Sequence, residues 1–351
     1  MKIPELVKEF SKNSRSNQTN FDKVDTKHKR IIKNAEKIFD NLNSKNFRNW
    51  SEQGDMGLKY PMTYLAKVFI GSKKNKFLEF FTRIIKKRIN HFFEYSYMMD
   101  DIEIIKSLGG ENLLVENPQN LTPGAGDFTF IEGFSVSQRW LRYLYIFNQI
   151  KKYNLLKNQD LWVDIGSYYG GLQGIVKKYC PEVKMILVDF NHQLTRSYIY
   201  LKQLYPDANH VFPNQIKSIK NIDKLPKGSI LYVEVEDFKK INDFKINLTT
   251  NFFSLGEMTS ETFQSYMESD FMKKSDYIYF ANRFCSSPFF EKTYDEAINV
   301  FNYEFNKKRL YFDIFPIGQY QISSRTIFNR NFFRNTSSQY FEAIWGKSNA
   351  Q

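Results

Sequence analysis

Short, mostly apolar runs, bounded by turn-forming residues, recur through the second half of the chain. Leu161-Trp-Val-Asp-Ile165, Met185-Ile-Leu-Val-Asp-Phe190, Ile230-Leu-Tyr-Val-Glu-Val235, Ile246-Asn-Leu-Thr-Thr-Asn-Phe-Phe253 and Tyr277-Ile-Tyr-Phe-Ala281 read as buried strands. Helical periodicity fills the intervals at 171–180, 192–204, 260–269 and 294–306, and Leu310-Tyr-Phe-Asp-Ile-Phe315 and Tyr340-Phe-Glu-Ala-Ile-Trp345 close the series. Continuous rather than alternating apolar runs mean a sheet covered on both faces, and strands alternating with helices mean that it is mostly parallel. The expected class is therefore α/β. Ligands of such sheets bind beyond the C-terminal ends of the strands.

The first half reads differently. Residues 1–60 are polar and suggest a loose start followed by a helix over 27–43, and 60–99 is helical in pattern. Gly109-Gly110, Asn117-Pro118 and Pro123-Gly-Ala-Gly126 are loop chemistry, and a further helix is expected over 137–153. We place a mainly helical N-terminal region at 1–135, a substrate cap or interface, and an α/β domain at 136–351.

Of the 351 residues, 42% are hydrophobic and 17% aromatic, enough for a folded core. A net charge of +12 invites an anionic partner: a phosphorylated substrate, an anionic glycolipid or a membrane surface. Much of it sits in Lys73-Lys-Asn-Lys76 and Arg83-Ile-Ile-Lys-Lys-Arg88, interleaved with Phe77, Phe80, Phe81, Ile84 and Ile85. Such a helix either lies on a membrane, grips phosphates, or packs its apolar side on the core and solvates its lysines. Nucleic acid is disfavoured, because the basic residues are not interleaved with a binding motif. The aromatic N-terminal region is also a candidate oligomer surface. Cys180 and Cys285 are too few for a disulfide framework or a zinc site. With no apolar leader, the chain is expected to be cytoplasmic.

The candidate chemistry follows the first strand, in Val163-Asp-Ile-Gly-Ser-Tyr-Tyr-Gly-Gly-Leu172. A dinucleotide loop reads G-x-G-x-x-G so that pyrophosphate can rest on a helix N-terminus. Here Tyr168 occupies the place of the second glycine, where a pyrophosphate would meet its ring. S-adenosylmethionine (SAM) has no phosphate and carries a cationic sulfonium. Asp164, Gly166, Ser167, Tyr168 and Gly170 would surround its amino-acid end. Asp189, 23 residues after Gly166, with neighbouring Asn191, suits the ribose hydroxyls. Glu236 or Asp237, just after the third strand, suits the adenine amino group. The loop resembles that of class I SAM-dependent methyltransferases, and its tyrosine is similar to the aromatic residue of the catechol-type O-methyltransferases.

Asn251-Phe-Phe-Ser-Leu-Gly-Glu-Met258, followed by a helix with Tyr266, resembles the strand-four signature of the sugar O-methyltransferase family found among bacterial surface-polysaccharide genes. Val188-Asp-Phe-Asn-His-Gln-Leu194 is similar to that family's second strand and helix, and Tyr277-Ile-Tyr-Phe-Ala-Asn-Arg283 to its fifth strand. The likeness covers roughly 130–345; the family usually has a glycine at the Tyr168 position. It implies a Rossmann-like sheet with an antiparallel last strand, SAM as cofactor, and a sugar, nucleotide-sugar or glycan acceptor. Asn251 and Ser254 would lie near the sulfonium. Glu257 is either the base that draws off the acceptor proton or an acid favoured by a helix dipole. Asn282 and Arg283 would face the acceptor, Arg283 as a phosphate clamp or as a structural ion pair, and Arg139 with Arg142 would help to cover the site. None of His28, His91, His192 or His210 is placed as a base. Asp270, Asp295 and Asp313 have no metal-ligand spacing, so no metal is expected. Methyl transfer to RNA or a small molecule, and a SAM-binding module without turnover, are the alternatives that the residues leave open.

Overall fold

The structure is a computed structural model, and the described residues are 2–14, 98–115, 129–219, 221–285, 297–318, 326–327, 330–331 and 339–346. The helix expected over 27–43, almost all of the helical stretch 60–99 with its basic run, the Pro123–Gly126 loop with Asp127, and His28, His91 and Asp295 lie outside them.

A two-stranded hairpin, β1 (Thr129–Ile131) and β2 (Phe134–Val136), leads into helix α2 (Gln138–Lys152). Ser137 caps α2 by accepting a hydrogen bond from the Trp140 amide at 3.2 Å. The expected strands then appear as β3 (Leu161–Ile165), β4 (Lys184–Asp189), β6 (Ile230–Glu234), β7 (Leu248–Phe252) and β8 (Tyr277–Arg283), with a short β5 (His210–Val211). Beyond them come β9 (Lys308–Ile314), a small pair β10 (Thr326–Ile327) and β11 (Arg330–Asn331), and β12 (Tyr340–Gly346).

The main sheet has eight strands in the order β5-β6-β4-β3-β7-β8-β12-β9. Strands β5 to β8 pair in parallel. The late strand β12 inserts between β8 and β9 and runs antiparallel to both. This is the mostly parallel α/β class with the antiparallel last strand that was expected. Every residue of β3, β4 and β6 is buried, which is why their sequences read as unbroken apolar runs.

Alternate strand residues feed two cores. Trp162, Leu187, Tyr232 and Tyr279 join helices α2, α3 (Gly171–Tyr179) and α4 (Asn191–Leu204). Val163, Val188, Val233 and Phe280 join the 3-10 turn Val235–Ile241 and helices α5 (Ser260–Met267) and α6 (Asp270–Lys274).

Two expectations change. The start of the chain is not loose: Ile3–Asn13 forms helix α1, which buries Ile3, Leu6 and Phe10. Phe10 packs at 5.5 Å from Tyr198, 5.5 Å from Tyr232 and 5.8 Å from Phe212, so this helix belongs to the same core as the sheet. The described part of the 294–306 stretch holds only a 3-10 turn, Val300–Asn302. Asn299 accepts from the Phe301 amide at 2.9 Å and Asn302 accepts from the Asn299 amide at 2.8 Å. Such local bonds offer the backbone an alternative to a helix.

One buried acid in this frame has no counterpart in the expected chemistry. Glu342, on β12, is 0% exposed and accepts hydrogen bonds from Tyr145, from Tyr279 at 2.7 Å and from Tyr311 at 3.2 Å. Burial pushes its carboxyl up to about 7 despite these donors. The folded state thus keeps a proton that the unfolded chain releases near 4.5, so this group contributes less stability as pH rises from about 4.5 to 7. We expect Glu342→Gln to gain on the wild type by about 2–3 kcal/mol between pH 5 and pH 8. Urea denaturation at the two pH values measures it; a pH-independent difference would show that Glu342 stays ionised in the fold.

Candidate functional site

The glycine loop leaves β3 at Gly166, whose φ of 78° needs a residue without a side chain. Crowding makes the same demand: a Cβ there would stand 2.3 Å from Ser254 Oγ. The β3 and β7 ends are that close because Asn251 ties them together. Its amide donates to the Ile165 carbonyl at 2.7 Å and to Ser254 Oγ, while its Oδ1 accepts from the Leu255 amide at 3.0 Å and from Asn282 Nδ2 at 2.9 Å. Asn282 in turn accepts from the Gly256 amide at 3.2 Å.

Asn251 and Asn282 are both 0% exposed. They brace the strand ends, Asn251 through four hydrogen bonds and Asn282 through the Gly256 amide and Asn251. Of the strand-four pair, Ser254 is the residue left at the loop.

Asp164 is enclosed as well. It sits one residue before the strand end, 4% exposed, with its carboxylate accepting from Thr250 Oγ1 at 2.6 Å and from Gln173 Nε2. Trp162 Nε1 donates to the same Thr250 hydroxyl at 2.7 Å. Burial lifts Asp164 to about 7. It is part of an internal polar network, not an open partner for a cation.

Asp189 is the last residue of β4 and does reach the loop. Its Oδ2 accepts from the Tyr168 amide at 2.9 Å and its Oδ1 from the Phe190 amide at 2.8 Å. Burial pushes it up to about 7, against those two amides and the Arg196 charge. Opposite Asp189 in the β4–β6 register stands Glu234, which accepts from Asn191 Nδ2 at 2.7 Å. Glu234 is the last residue of β6 and precedes by two residues the segment in which the adenine-side acid was expected. Glu236 is exposed, whereas Asp237 is buried in an ion pair with Lys240. Ser167 is buried, and among the described residues its Oγ has no hydrogen-bond partner.

The ring of Tyr168 has a definite place. With φ at 56° the residue turns its phenol between two guanidinium groups, 4.3 Å from Arg139 and 4.8 Å from Arg196, an arrangement worth about 0.5–2 kcal/mol per contact. Its carbonyl accepts from Ser197 Oγ at 2.7 Å. The ring is thus held by α2 and α4, with Arg139 standing at the loop. Asp189 and Glu234 face each other in register at the ends of β4 and β6, and Glu236 follows in the next turn. Gly170, at φ 86°, then starts α3 beside Leu201 and Ser197.

Glu257 and Arg283, expected in separate roles, come together. Arg283 Nη2 donates to Glu257 Oε1 at 3.1 Å and its Nε donates to Tyr340 Oη at 3.2 Å. Both side chains of the ion pair remain about a quarter exposed, at 25% and 24%. Arg142 lies 5.2 Å over the ring of Phe253. His192 stacks on Phe190 at 5.7 Å, and His210 bonds to Tyr232 Oη at 2.9 Å, its pKa lowered by burial to about 4. Asp270 pairs with Lys274 at 3.4 Å and Asp313 lies exposed on β9. Among the described residues no group of three His, Cys, Asp or Glu side chains could hold a metal, and no helix is long and apolar enough to cross a membrane.

No family model and no curated protein matches the chain. Similar solved structures include a cyclopropane-fatty-acyl-phospholipid synthase-like protein from Lactobacillus casei ATCC 334 (10% identity, 42% of this chain and 50% of that one, TM-score 0.29). Others are TrmK of M. capricolum in complex with S-adenosyl-homocysteine (12%, 58% and 68%, TM-score 0.31) and a mutant of MtNAS (8%, 98% and 95%, TM-score 0.36). The chain spans half the length of the first of these. At such identities and TM-scores the likeness says nothing about function, which has to be read from the sheet and the site.

Gly166→Ala should lower stability by about 2–4 kcal/mol, from the left-handed backbone and the clash together. Ser254→Gly in the same chain should recover part of it by opening the space. Denaturant titration of the single and double variants measures this, and full additivity would mean that the two residues do not meet.

Proposed function

We propose that this chain is a SAM-dependent methyltransferase whose acceptor is a hydroxyl of a sugar, in a nucleotide-sugar or a surface glycan. The observation that carries the reading is the placing of Asp189 against the glycine loop in a parallel sheet completed by one antiparallel inserted strand. The acceptor class is supported by the 251–258 signature and by the ion pair that this signature forms with the end of β8.

The residues fit the cofactor in kind. Carboxylates at the ends of β4 and β6 suit ribose hydroxyls, an amino group and a cationic ligand, and repel phosphate. Asp189 would hold the ribose, Glu236 the adenine side, and Gly166, Ser167 and the Gly170 turn the amino-acid end. When bound, SAM supplies a methyl group on a sulfonium, a good leaving group.

The protein's part is then alignment and removal of one proton. Glu257 Oε1 is taken by Arg283, which keeps the carboxylate oriented, and Oε2 is the oxygen we assign to the acceptor's hydroxyl proton. Arg283, anchored separately on Tyr340, is suited to a phosphate of a nucleotide-sugar. The net charge of +12 would draw such an anionic acceptor or a glycolipid surface.

Calorimetric titration should show micromolar binding of S-adenosylhomocysteine (SAH) and none of NAD; silence toward SAH would overturn the reading. Asp189→Ala should weaken SAH by at least about tenfold, because a charged acceptor is lost, and unchanged affinity would remove the ribose role. Glu257→Gln should cut transfer of labelled methyl to nucleotide-sugars or glycans by about 100-fold or more with SAH affinity retained. A full-rate Gln variant would sink the base assignment.

A further inference from the structure

One hydroxyl near the strand ends lacks a partner among the described residues. Tyr266, on the last turn of α5, is 1% exposed, and its Oη is buried without a hydrogen bond. A dry, unpaired hydroxyl costs about 1–3 kcal/mol, so its presence in a folded core calls for an explanation.

The rest of the side chain is firmly seated. Its ring stacks on Phe238 at 4.3 Å, and Phe238 lies in the Val235–Ile241 turn that carries Glu236 directly after β6. Burial raises the phenol's pKa, and the two charges that raise it further are Asp189 and Glu236. These are the acids assigned above to the nucleoside half of the ligand.

A second buried phenol provides a contrast. Among the described residues Tyr303 Oη also lacks a partner, but that residue packs on Phe263 and Phe341 beneath Gly256, and burial alone acts on its pKa.

We infer that Tyr266 is a ligand-binding residue whose hydroxyl donates a hydrogen bond to the nucleoside half of the bound cofactor, beside the turn that carries Glu236. The inference rests on the SAM reading. Its chemical logic is complementarity. Ionised carboxylates only accept, so Asp189 and Glu236 can serve ribose hydroxyls and an amino group. A nucleoside also carries acceptors, its ring nitrogens and ribose oxygens, and these need a donor. A neutral phenol with a raised pKa keeps its proton and fills that need. Ser167, the other buried unpaired hydroxyl of this region, belongs to the loop and would serve the opposite end.

The test is SAH titration with the wild type, Tyr266→Phe and Tyr303→Phe, together with the Tm of each protein without ligand. Tyr266→Phe should weaken SAH by about 3- to 10-fold while its Tm stays level or rises, because an unsatisfied hydroxyl has been removed. Tyr303→Phe should leave SAH affinity unchanged. Wild-type affinity in Tyr266→Phe overturns the inference, and so does a fall in Tm that accompanies the loss, which would mark the hydroxyl as structural. Equal weakening by Tyr303→Phe overturns it as well, since the effect would then be general loosening of that core. If the wild type itself ignores SAH, the cofactor reading fails first and this inference goes with it.

Discussion

The site depends on a single carboxamide. Asn251 engages the β3 carbonyl at Ile165, the Leu255 amide, Ser254 and Asn282 at once, and so fixes the spacing of β3, β7 and β8 where their C-terminal ends open. Its burial makes the arrangement strict, because any one of these bonds left unmade would strand a polar group in a dry place. Gly166 follows from it, since a side chain there has no room beside Ser254. The Glu257–Arg283 pair follows too, since the turn that carries Glu257 is hung from Asn251 and Asn282.

Polar residues that share one strand end can therefore do quite different work. Asp164 and Asp189 lie in adjacent parallel strands, and burial lifts both to about 7. Asp164 is enclosed by Thr250 and Gln173 and serves the core, whereas Asp189, the terminal residue of its strand, is held by backbone amides of the loop. Two positions along the β3–β4 register separate an enclosed acid from a candidate ligand for ribose.

Strands β3, β4, β6, β7 and β8 and the helices that follow β3, β4 and β7 are legible in the sequence, because burial on both faces makes these strands mostly apolar. Helix α1 is not, because only Ile3, Leu6, Val7 and Phe10 mark its buried side, and the polar run that follows hides so short a pattern. The acids are legible as types but not as roles. Spacing brings Asp164 near the loop without telling which way its side chain points, and it gives no sign that Thr250, 86 residues away, will enclose it. Glu257 and Arg283 both stand out in the sequence, yet their pairing follows from the adjacency of β7 and β8, which no local pattern records. Tyr168 reads there as an obstacle to pyrophosphate. The left-handed backbone that turns its ring onto Arg139 and Arg196 belongs to the folded loop.

The inserted position of β12 has a consequence for assembly. Strand β8 and its neighbours can form as soon as residues 161–283 are available, but the edge of β8 that carries Asn282 and Arg283 is closed only by residues 340–346. During synthesis that edge stays open while the intervening segment is made, an interval in which unpaired strand groups invite association with other chains. Tyr340, which anchors Arg283, arrives with the same strand. The Glu257–Arg283 pair is thus completed by a strand made long after β8, and a nascent chain can carry a finished glycine loop before that pair has its anchor.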